Sequence, residues 1–460
     1  MARFARTICN DGIHHNLPTF PDHDGKKYIA IVTGANGISG SEIVNALVAA
    51  PERWDVIYAM SRRPPPSNNK RVKAIAADFL SSPEELAVVF GRENVKADYV
   101  FFTSYVQPPA PEGEGLWSNT EHLETVNVTL LSNFLSALTL ANIIPTRFVL
   151  QTGGKHYALH LGPTAIPMTE DSVALQVPHS NFYFPQEDLL SSWALAHSTH
   201  WTIMRPGFII GANETAQINI SYAIAIYASI QKELGLKLEF PSDIGAWDVN
   251  KDLTTASLLG YFSEWAALTP EAEDQALNIV DDSPFSYGKF WPVLAEWYGI
   301  EYDTPEEDEK KYFVVTMPRN PPPRGFGKPG EVKIAFSFEA WAKGDAVREA
   351  WERIQEREAL NRMLNPWASR ERLVAVLGAL DADLLGNWAR TQTMDNAKRM
   401  GWTGHVQTDE GLKRTILKVA ELKMVPCLCG IRLSNLHVAE EFILNHASLS
   451  NLRSHVFSEA

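Results

Sequence analysis

The sequence has few cysteines, no basic excess and no long apolar run, and each absence excludes a class of protein. Only three of its 460 residues are cysteine, too few for a disulfide framework, so we expect a reducing compartment. Acidic residues outnumber basic ones by 55 to 41, which gives a formal net charge of −14. This charge argues against nucleic acid and anionic membranes as partners, although a local basic patch can still bind a phosphate.

The sequence also lacks export and membrane-spanning signals. The N-terminal stretch has no continuous apolar segment of the secretory type. No uninterrupted apolar run reaches the roughly 18 residues of a membrane helix. The best candidate, Ile218–Ile230, is interrupted by Asn219 and Ser221 and indicates a buried helix. We therefore expect a cytoplasmic protein.

From Lys27 onward, short apolar segments alternate with segments of helical periodicity. Six of these segments are predicted to be strands: Tyr28–Thr33, Asp55–Met60, Val72–Ala76, Tyr99–Thr103, Arg147–Thr152 and Trp201–Pro206. Right-handed crossovers between them would form one doubly wound parallel sheet. The sequence thus predicts an α/β, Rossmann-type domain over residues 27–215, with contributions from residues 240–280.

Helical patterns dominate after about Gly211. The predicted helices are Gln217–Leu234, Leu253–Ala267, Phe285–Tyr298, Asp345–Leu364 and Ser369–Leu385. They predict a mostly helical, substrate-binding cap over residues 216–426, interleaved with the sheet. The Pro/Gly-rich segment Met317–Gly330 is predicted to be a connector. Residues 1–26 and 427–460 are predicted to be terminal extensions, the second with helical spacing from Leu436 to Ala447.

A glycine-rich turn, TGANGISG, lies directly between the first predicted strand and the first predicted helix. Glycines at this spacing let the backbone approach a pyrophosphate, whose charge is favoured at a helix N-terminus. The strand-turn-helix context makes a dinucleotide site a stronger interpretation than an ordinary turn. The residues assigned to the cofactor here are Thr33, Gly34, Asn36, Gly37, Ile38 and Gly40.

The end of the second strand predicts which dinucleotide binds. Enzymes that use NAD place an acid there for the ribose 2′-hydroxyl, but this chain has Ser61, Arg62 and Arg63. Guanidinium groups match a 2′-phosphate, so the predicted cofactor is NADP(H). Asp78 is explained equally well as a contact to the adenine amino group or as a carboxylate near a helix N-terminus. Later strand ends add three further cofactor residues: Thr103, Pro206 and Ile209.

The chain lacks the Tyr-x-x-x-Lys pair that short-chain reductases usually carry after the fourth strand. It has instead QTGGKHY, ending at Tyr157, and NFYFPQED, beginning at Asn181. Further motifs follow in order: SRRP, WTIMRPGFIIG, AWD, FWPVLAEWYGI and GNWARTQTMDNAKRMGW. Together these motifs resemble the progesterone 5β-reductase/iridoid synthase-like (PRISE) family, an atypical branch of the short-chain dehydrogenases, from about Lys27 to Pro426.

The resemblance implies that Lys155 and Tyr183 are the catalytic pair and that Lys155 also contacts the cofactor. It implies reduction by NADPH of a carbon–carbon double bond conjugated to a carbonyl, on a hydrophobic enone or enal of secondary metabolism. A phenol hydroxyl would donate to the developing enolate oxygen, and the Lys155 ammonium would favour phenolate character in Tyr183. The chain departs twice from the plant members of the family, which usually have an arginine at the position of Gly154 and a second tyrosine at the position of Phe184. Neither departure changes Lys155 or Tyr183.

Three alternative functions stay open. The protein could reduce the carbonyl itself, could reduce and then guide a cyclisation, or could be a non-catalytic NADP-binding sensor, which the intact Lys155 and Tyr183 disfavour. The sequence fixes no oligomeric state, and a homodimer is one option. No metal site is predicted, because the histidine pairs lack suitable partners. Five C-terminal tryptophans are expected mainly in the core, with some lining an apolar substrate pocket: Trp341, Trp351, Trp367, Trp388 and Trp402.

Overall fold

A computed structural model describes residues 8–20, 25–65, 67–108, 118–172, 181–214 and 218–428. Its strands are β1 (Ile8–Asp11), β2 (His14–Pro18), β3 (Tyr28–Thr33), β4 (Trp54–Ser61), β5 (Val72–Ala76), β6 (Tyr99–Phe102), β7 (Arg147–Gln151), β8 (His200–Pro206), β9 (Phe208–Ile210), β10 (Leu253–Thr255), β11 (Gln275–Ile279), β12 (Phe313–Thr316) and β13 (Glu331–Ile334).

The α-helices are α1 (Ile38–Val48), α2 (Pro83–Arg92), α3 (Thr120–Leu140), α4 (Tyr183–His197), α5 (Ile220–Leu234), α6 (Ile244–Asp248), α7 (Ala256–Leu268), α8 (Tyr287–Tyr298), α9 (Phe338–Trp341), α10 (Asp345–Arg357), α11 (Arg370–Leu384), α12 (Asp395–Arg399) and α13 (Thr408–Glu421). Short 3-10 helices join several of them, including one at Gly154–Tyr157 that follows β7.

Seven parallel strands form the central sheet in the order β11-β8-β7-β6-β3-β4-β5. Alternate side chains of β3 enter opposite cores, because successive residues of a strand face opposite sides of the sheet. Ala30 and Val32 pack with α1 and α7 on one side, whereas Ile31 packs with α2, α3 and α4 on the other. This layering confirms the predicted Rossmann-type fold.

All six predicted strands are present, but the sequence analysis missed β11, the seventh strand of the sheet. Its sequence, QALNI, is short and begins at a solvent-exposed residue, so it gives only a weak strand pattern. The predicted helix from Leu253 is also wrong in its first turn. Residues 253–255 pair in parallel with β9, and the carboxylate of Asp281 accepts from the Thr255 backbone N–H at 2.6 Å. Helix α7 therefore starts only at Ala256.

Helices of the second half of the chain form the cap around the largest apolar core, which includes most of α5 and the inner faces of α8, α10, α11 and α13. The predicted helix 345–364 is too long, since α10 ends at Arg357 and Ala359 adopts a left-handed backbone with φ of 50°. The segment Met317–Gly330 is the loop of a hairpin made by β12 and β13, and the Met317 N–H donates to the Gly330 carbonyl at 2.8 Å.

The N-terminal extension contains an ordered hairpin, β1–β2, that packs on the main body. His15 exchanges two backbone hydrogen bonds with His405, at 2.9 and 3.0 Å, and Leu17 joins the same core as Trp402. The predicted tail helix at 436–447 lies outside the described residues. One described helix, α3, is long and apolar enough to cross a membrane by length and composition alone; its apolar side chains pack in the core beneath the sheet.

Candidate active site

A cavity of about 800 Å³ runs along the carboxyl ends of the sheet strands and under the cap. It lies where the strand order reverses between β3 and β6, the place at which doubly wound sheets bind their ligands. Most of the predicted cofactor residues line it: Gly34, Asn36, Gly37, Ile38, Gly40, Ser61, Arg62, Arg63, Asp78, Thr103, Lys155, Pro206 and Ile209.

The glycine turn leaves no room for side chains. Gly34 has a left-handed backbone with φ of +64°, and a Cβ there would lie 2.9 Å from the Thr103 backbone. A Cβ at Gly40 would lie 2.2 Å from the Gly34 carbonyl oxygen. Helix α1 begins with Gly37 as an extended N-cap whose turn has no capping side chain. Because no side chain caps the first turn of α1, the N–H groups at its start suit the pyrophosphate of a dinucleotide.

Arg62 and Arg63 follow β4, are solvent-exposed and line one end of the cavity. The Ser61 hydroxyl lies beside them, is buried and has no hydrogen-bond partner among the described residues. Asp78 also faces this end, and its carboxylate accepts from the Leu80 N–H at 3.1 Å. Because Ser82, and not Asp78, caps α2, the helix-terminus explanation of Asp78 is weakened.

Thr33 is the one predicted cofactor residue that does not line the cavity. It is completely buried and supports the turn from behind. Its hydroxyl accepts from the Thr103 N–H at 3.2 Å, and its carbonyl accepts from the Thr103 hydroxyl at 2.7 Å. The assignment of Thr33 to the cofactor therefore stays a prediction, and its buried side chain bonds to Thr103, which lines the cavity.

Lys155 and Tyr183 line the cavity together, and Asn181 links their two backbone segments. The Asn181 side chain donates to the Lys155 carbonyl at 3.0 Å and accepts from the Tyr183 N–H at 3.1 Å. Lys155 lies in the 3-10 turn after β7, and Tyr183 is the first residue of α4. A Cβ at Gly153 would lie 3.1 Å from the Tyr183 hydroxyl, so this glycine leaves space for the phenol. The sequence analysis gave Asn181 no role.

The sequence analysis expected a charged Lys155 and phenolate character in Tyr183, but the pKa shifts of both residues point the other way. Burial, helped by the positive charge of Arg390, lowers the pKa of Lys155 to about 7. Burial and the negative charge of Glu187 raise the pKa of Tyr183 above its ordinary range. Both residues are partly buried and line the cavity. Phenolate character in Tyr183 is therefore disfavoured, and the residue presents a protonated hydroxyl that can donate.

A buried ionic network supports α4 behind Tyr183. Glu187 accepts from Arg205 at 2.9 Å and lies 3.4 Å from His156. Burial alone would raise the pKa of Glu187, but the neighbouring His156 and the charge of Arg205 hold it below its usual value. The carboxylate therefore stays ionised and links α4 to β8 and to the 3-10 turn after β7.

Polar residues that the sequence analysis missed line the far end of the cavity, beyond Lys155. They are Lys251, Asp252, Asp383, Arg390 and Gln392. The Gln392 N–H donates to Asp252 at 2.6 Å, and Arg390 pairs with Asp383 at 3.1 Å. Arg390 and Gln392 lie within the quoted motif GNWARTQTMDNAKRMGW, which was the available signal for these two, whereas Lys251, Asp252 and Asp383 lie outside the quoted motifs. None of the five C-terminal tryptophans lines this cavity.

The sequence profile of the PRISE-like Rossmann-fold domain matches residues 30–316. The chain belongs to this family. A short chain dehydrogenase of Penicillium aethiopicum, gsfE, is 29% identical over 86% of this chain and 99% of its own. An (S)-8-oxocitronellyl enol synthase of Nepeta racemosa is 29% identical over 86% of this chain and 93% of its own. An (S)-8-oxocitronellyl enol synthase of Catharanthus roseus is 30% identical over 63% of this chain and 74% of its own.

Solved structures similar to this PRISE-like chain share its fold at low identity. A UDP-glucose 4-epimerase of Thermotoga maritima has a TM-score of 0.53 and 13% identity, over 85% of this chain and 99% of its own. The enzyme WbmG of Bordetella bronchiseptica, in complex with NAD, has a TM-score of 0.52 and 11% identity, over 89% of this chain and 99% of its own. At this identity the likeness shows the fold alone.

The PRISE-like cavity fits a nicotinamide dinucleotide on its own geometry. The glycine turn would hold a pyrophosphate, and Arg62, Arg63, Lys155 and Tyr183 line the same cavity. No group of three or more metal-binding side chains occurs in the described part of the chain. The arrangement suits a reaction that develops negative charge on an oxygen near Tyr183, as expected of a short-chain-dehydrogenase-like oxidoreductase.

Proposed function

We propose that the protein is a cytoplasmic, NADPH-dependent reductase of a carbon–carbon double bond conjugated to a carbonyl, on a largely apolar small molecule of secondary metabolism. The observation that carries this proposal is the Tyr183 hydroxyl, held protonated in the cavity that Lys155 also lines. The exposed Arg62 and Arg63 support NADPH rather than NADH.

NADPH would supply the hydride in this reaction. When the β-carbon of an enone accepts a hydride, the π-electrons move to the carbonyl oxygen and form an enolate. Tyr183 donates a hydrogen bond to that oxygen, and the donor is pre-positioned because Asn181 fixes the start of α4. Lys155, about half protonated near pH 7, adds positive charge to the same cavity. A solvent proton then completes the addition at the oxygen or the α-carbon.

The names of the relatives agree with this order of events. The enzymes from Nepeta and Catharanthus are named enol synthases, and an enol is the product of protonating the enolate on oxygen. A donor aimed at oxygen, which is the role proposed for Tyr183, is the feature that such a product needs.

The test is a turnover assay of the purified protein with NADPH and a panel of enones and enals, with every product identified. We expect a saturated carbonyl product, and Tyr183→Phe should lower turnover by roughly 10²–10³, the usual effect of removing one oxyanion donor. NADPH affinity should be unchanged, because the phenol acts in the reaction and not in holding the cofactor. Tyr105→Phe removes a second phenol of the same cavity and should keep activity near wild type.

Other outcomes would replace the proposal. Allylic alcohols as products would make the protein a carbonyl reductase, and cyclised products would make it a reductase that guides ring closure. Tight NADPH binding without turnover of any enone, enal or ketone would favour the sensor alternative. Full activity of Tyr183→Phe on a good enone would make Tyr183 a packing residue and refute its catalytic role.

A further inference from the structure

Strand β12 lies at an open edge of the two-stranded sheet that it forms with β13. The Met317 N–H donates to the Gly330 carbonyl, and hydrogen-bonded pairs alternate along an antiparallel ladder, so the backbone groups of Val315 also face β13. Those of Val314 and Thr316 face the other way. No described strand pairs with that side of β12, which leaves two N–H and two C=O groups along the edge.

The opposite edge of the same sheet is covered by the chain itself. The Ala335 N–H donates to the Pro241 carbonyl at 2.8 Å, and the Ser242 hydroxyl donates to the Lys333 carbonyl at 2.6 Å. The edge of β12 has no such cover within the described part of the chain. Its sequence, FVVT, also lacks the proline or lysine, and its pairing lacks the bulge, that protect many edge strands. It is therefore open to pairing with another strand.

The side chains of β12 are apolar and exposed. Phe313 is 71% exposed, Val314 47% and Val315 38%. Because successive side chains of a strand point to opposite faces of the sheet, apolar groups lie on both faces of this edge. Contiguous exposed apolar side chains beside unpaired backbone groups are typical of an interaction surface.

The charges before and after β12 indicate which strand would fit it. Residues 306–311, before the strand, include four carboxylates and two lysines, whereas the loop 317–330 after it has three cations and no carboxylate. An antiparallel pair brings the start of each strand beside the end of the other. Two copies of β12 would therefore place the acidic segment of each copy beside the basic loop of the other, which is a complementary arrangement of charge.

We propose that β12 pairs antiparallel with β12 of a second copy of this chain, so that the two hairpins form one four-stranded sheet across a two-fold axis. Such an interface uses the same patch on both copies. With the pairing centred on Val314, Phe313 of each copy lies opposite Val315 of the other, and aromatic side chains pair favourably with β-branched ones across strands. This inference does not depend on the proposed function.

The test is the self-association of the purified full-length protein. Sedimentation equilibrium between roughly 1 and 200 μM should show a monomer–dimer equilibrium, because a short strand gives a small interface and a weak dimer. Val314→Pro removes an N–H that faces the open edge and leaves the ladder to β13 intact, and it should weaken the dimer by roughly tenfold or more. Phe313→Asp should do the same by removing the apolar pair across the two strands.

A matched control and a second measurement make the result specific to β12. Leu195→Asp changes an apolar side chain of α4 that is 86% exposed, and it should leave the dimer unchanged. Hydrogen exchange in the wild type needs no variant, and the amides of residues 313–316 should exchange more slowly as the protein concentration rises.

Three results would overturn the proposal. The first is a wild-type protein that stays monomeric at every concentration. The second is a dimer that Leu195→Asp disrupts and both β12 variants keep, which would place the interface on α4. The third is protection of the β12 amides that does not change with concentration, which would show that another segment of the same chain covers the edge.

Discussion

The side chain of Asn181 links the two backbone segments that carry Lys155 and Tyr183, although neither of its hydrogen bonds involves the side chains of these two residues. One amide donates to the Lys155 carbonyl and accepts from the Tyr183 N–H, so it holds the 3-10 turn after β7 against the start of α4. Under the proposed function, hydride transfer depends on placement within about an ångström, so this link would position both groups.

Arg62 and Arg63 should decide the cofactor preference. NADPH should bind at least tenfold more tightly than NADH, because losing a paired phosphate contact costs roughly 1.5–3 kcal/mol. The double variant with both arginines changed to Ala should bind NADPH more weakly and NADH almost as before. Fluorescence titration of the two cofactors measures this. Equal dissociation constants in the wild type would contradict the prediction.

The residue types of the site could be predicted from sequence, but their protonation could not. The glycine turn and the arginines after β4 are local patterns, and both line the cavity as expected. The pKa of Lys155 is lowered first by burial and then by the charge of Arg390, a residue that is distant in the chain and reaches the site only through folding. For the same reason the polar cluster around Arg390 was missed, since no spacing rule joins residues 251, 383 and 390.

At the turn between β3 and α1, an added Cβ would meet the backbone at close range. The positions of Gly37 and Gly40 differ sharply in this respect. A Cβ at Gly40 meets a backbone oxygen at 2.2 Å, whereas one at Gly37 meets the same oxygen at 3.1 Å.

Gly40→Ala should therefore damage the protein far more than Gly37→Ala. Overpacking of this kind costs roughly 1–3 kcal/mol or more, and the displaced turn should lose most of its NADPH affinity. Thermal unfolding and NADPH titration of the two variants give the comparison. If both variants matched the wild type, the close approach of α1 to the turn would be refuted.

The hairpin loop Met317–Gly330 contacts the wall of the cavity from outside. The Arg324 N–H donates to the Pro163 carbonyl at 3.1 Å, and Gly330 packs against Pro163 and Trp388. Trp388 in turn donates to the carbonyl of Leu159, which lines the cavity. The tip of the loop remains accessible, with Phe326 71% exposed.

Limited proteolysis should cut this loop first, because it is the exposed, Pro/Gly-rich segment of the cap. A bound substrate analogue should slow the cut by steadying Leu159 and Trp388. Mass spectrometry of the first fragments identifies the site. A first cut within any strand of the central sheet would show that the cap and the sheet are organised differently.

Strands and helices could be predicted from the sequence where the residues of the element itself carry the pattern. They could not be predicted where the element depends on contacts with distant parts of the chain. Strand β3 is recognisable because six apolar or small residues follow one another. The strand at 253–255 is not, because its pairing with β9 and its contact with Asp281 come from other parts of the chain. The length of α10 was overestimated because the left-handed residue that ends it is an alanine, which carries no stop signal.

At the scale of the whole molecule, two lysines of the cavity lower the free energy of unfolding of the cofactor-free protein. Both Lys155 and Lys251 have pKa values lowered to about 7. The folded protein therefore releases these protons above pH 7, whereas the unfolded chain keeps them until about pH 10.5. The cost of burying each ammonium is complete below pH 7 and shrinks as the pH rises toward 10.5.

Lys155→Met should accordingly stabilise the cofactor-free protein most at or below pH 7. The gain should fall between pH 7 and 9, by at most about 1.4 kcal/mol per pH unit. Urea unfolding at pH 6.5, 7.5 and 8.5 measures the difference from the wild type. Lys343→Met, which removes an exposed lysine on the surface of the cap, should show no such trend. A gain that does not change with pH would contradict the lowered pKa.

The cavity is shared by two portions of the chain that can diverge independently. One portion precedes residue 211 and contains the glycine turn, the two arginines after β4, Lys155 and Tyr183. The other portion follows residue 211 and contains Lys251, Asp383 and Arg390. Under the proposed function, a substitution in the later portion would change which molecule binds and leave in place the residues assigned to the hydride and the oxygen. Descendants of one ancestral reductase could therefore acquire new substrates while inheriting the same chemistry.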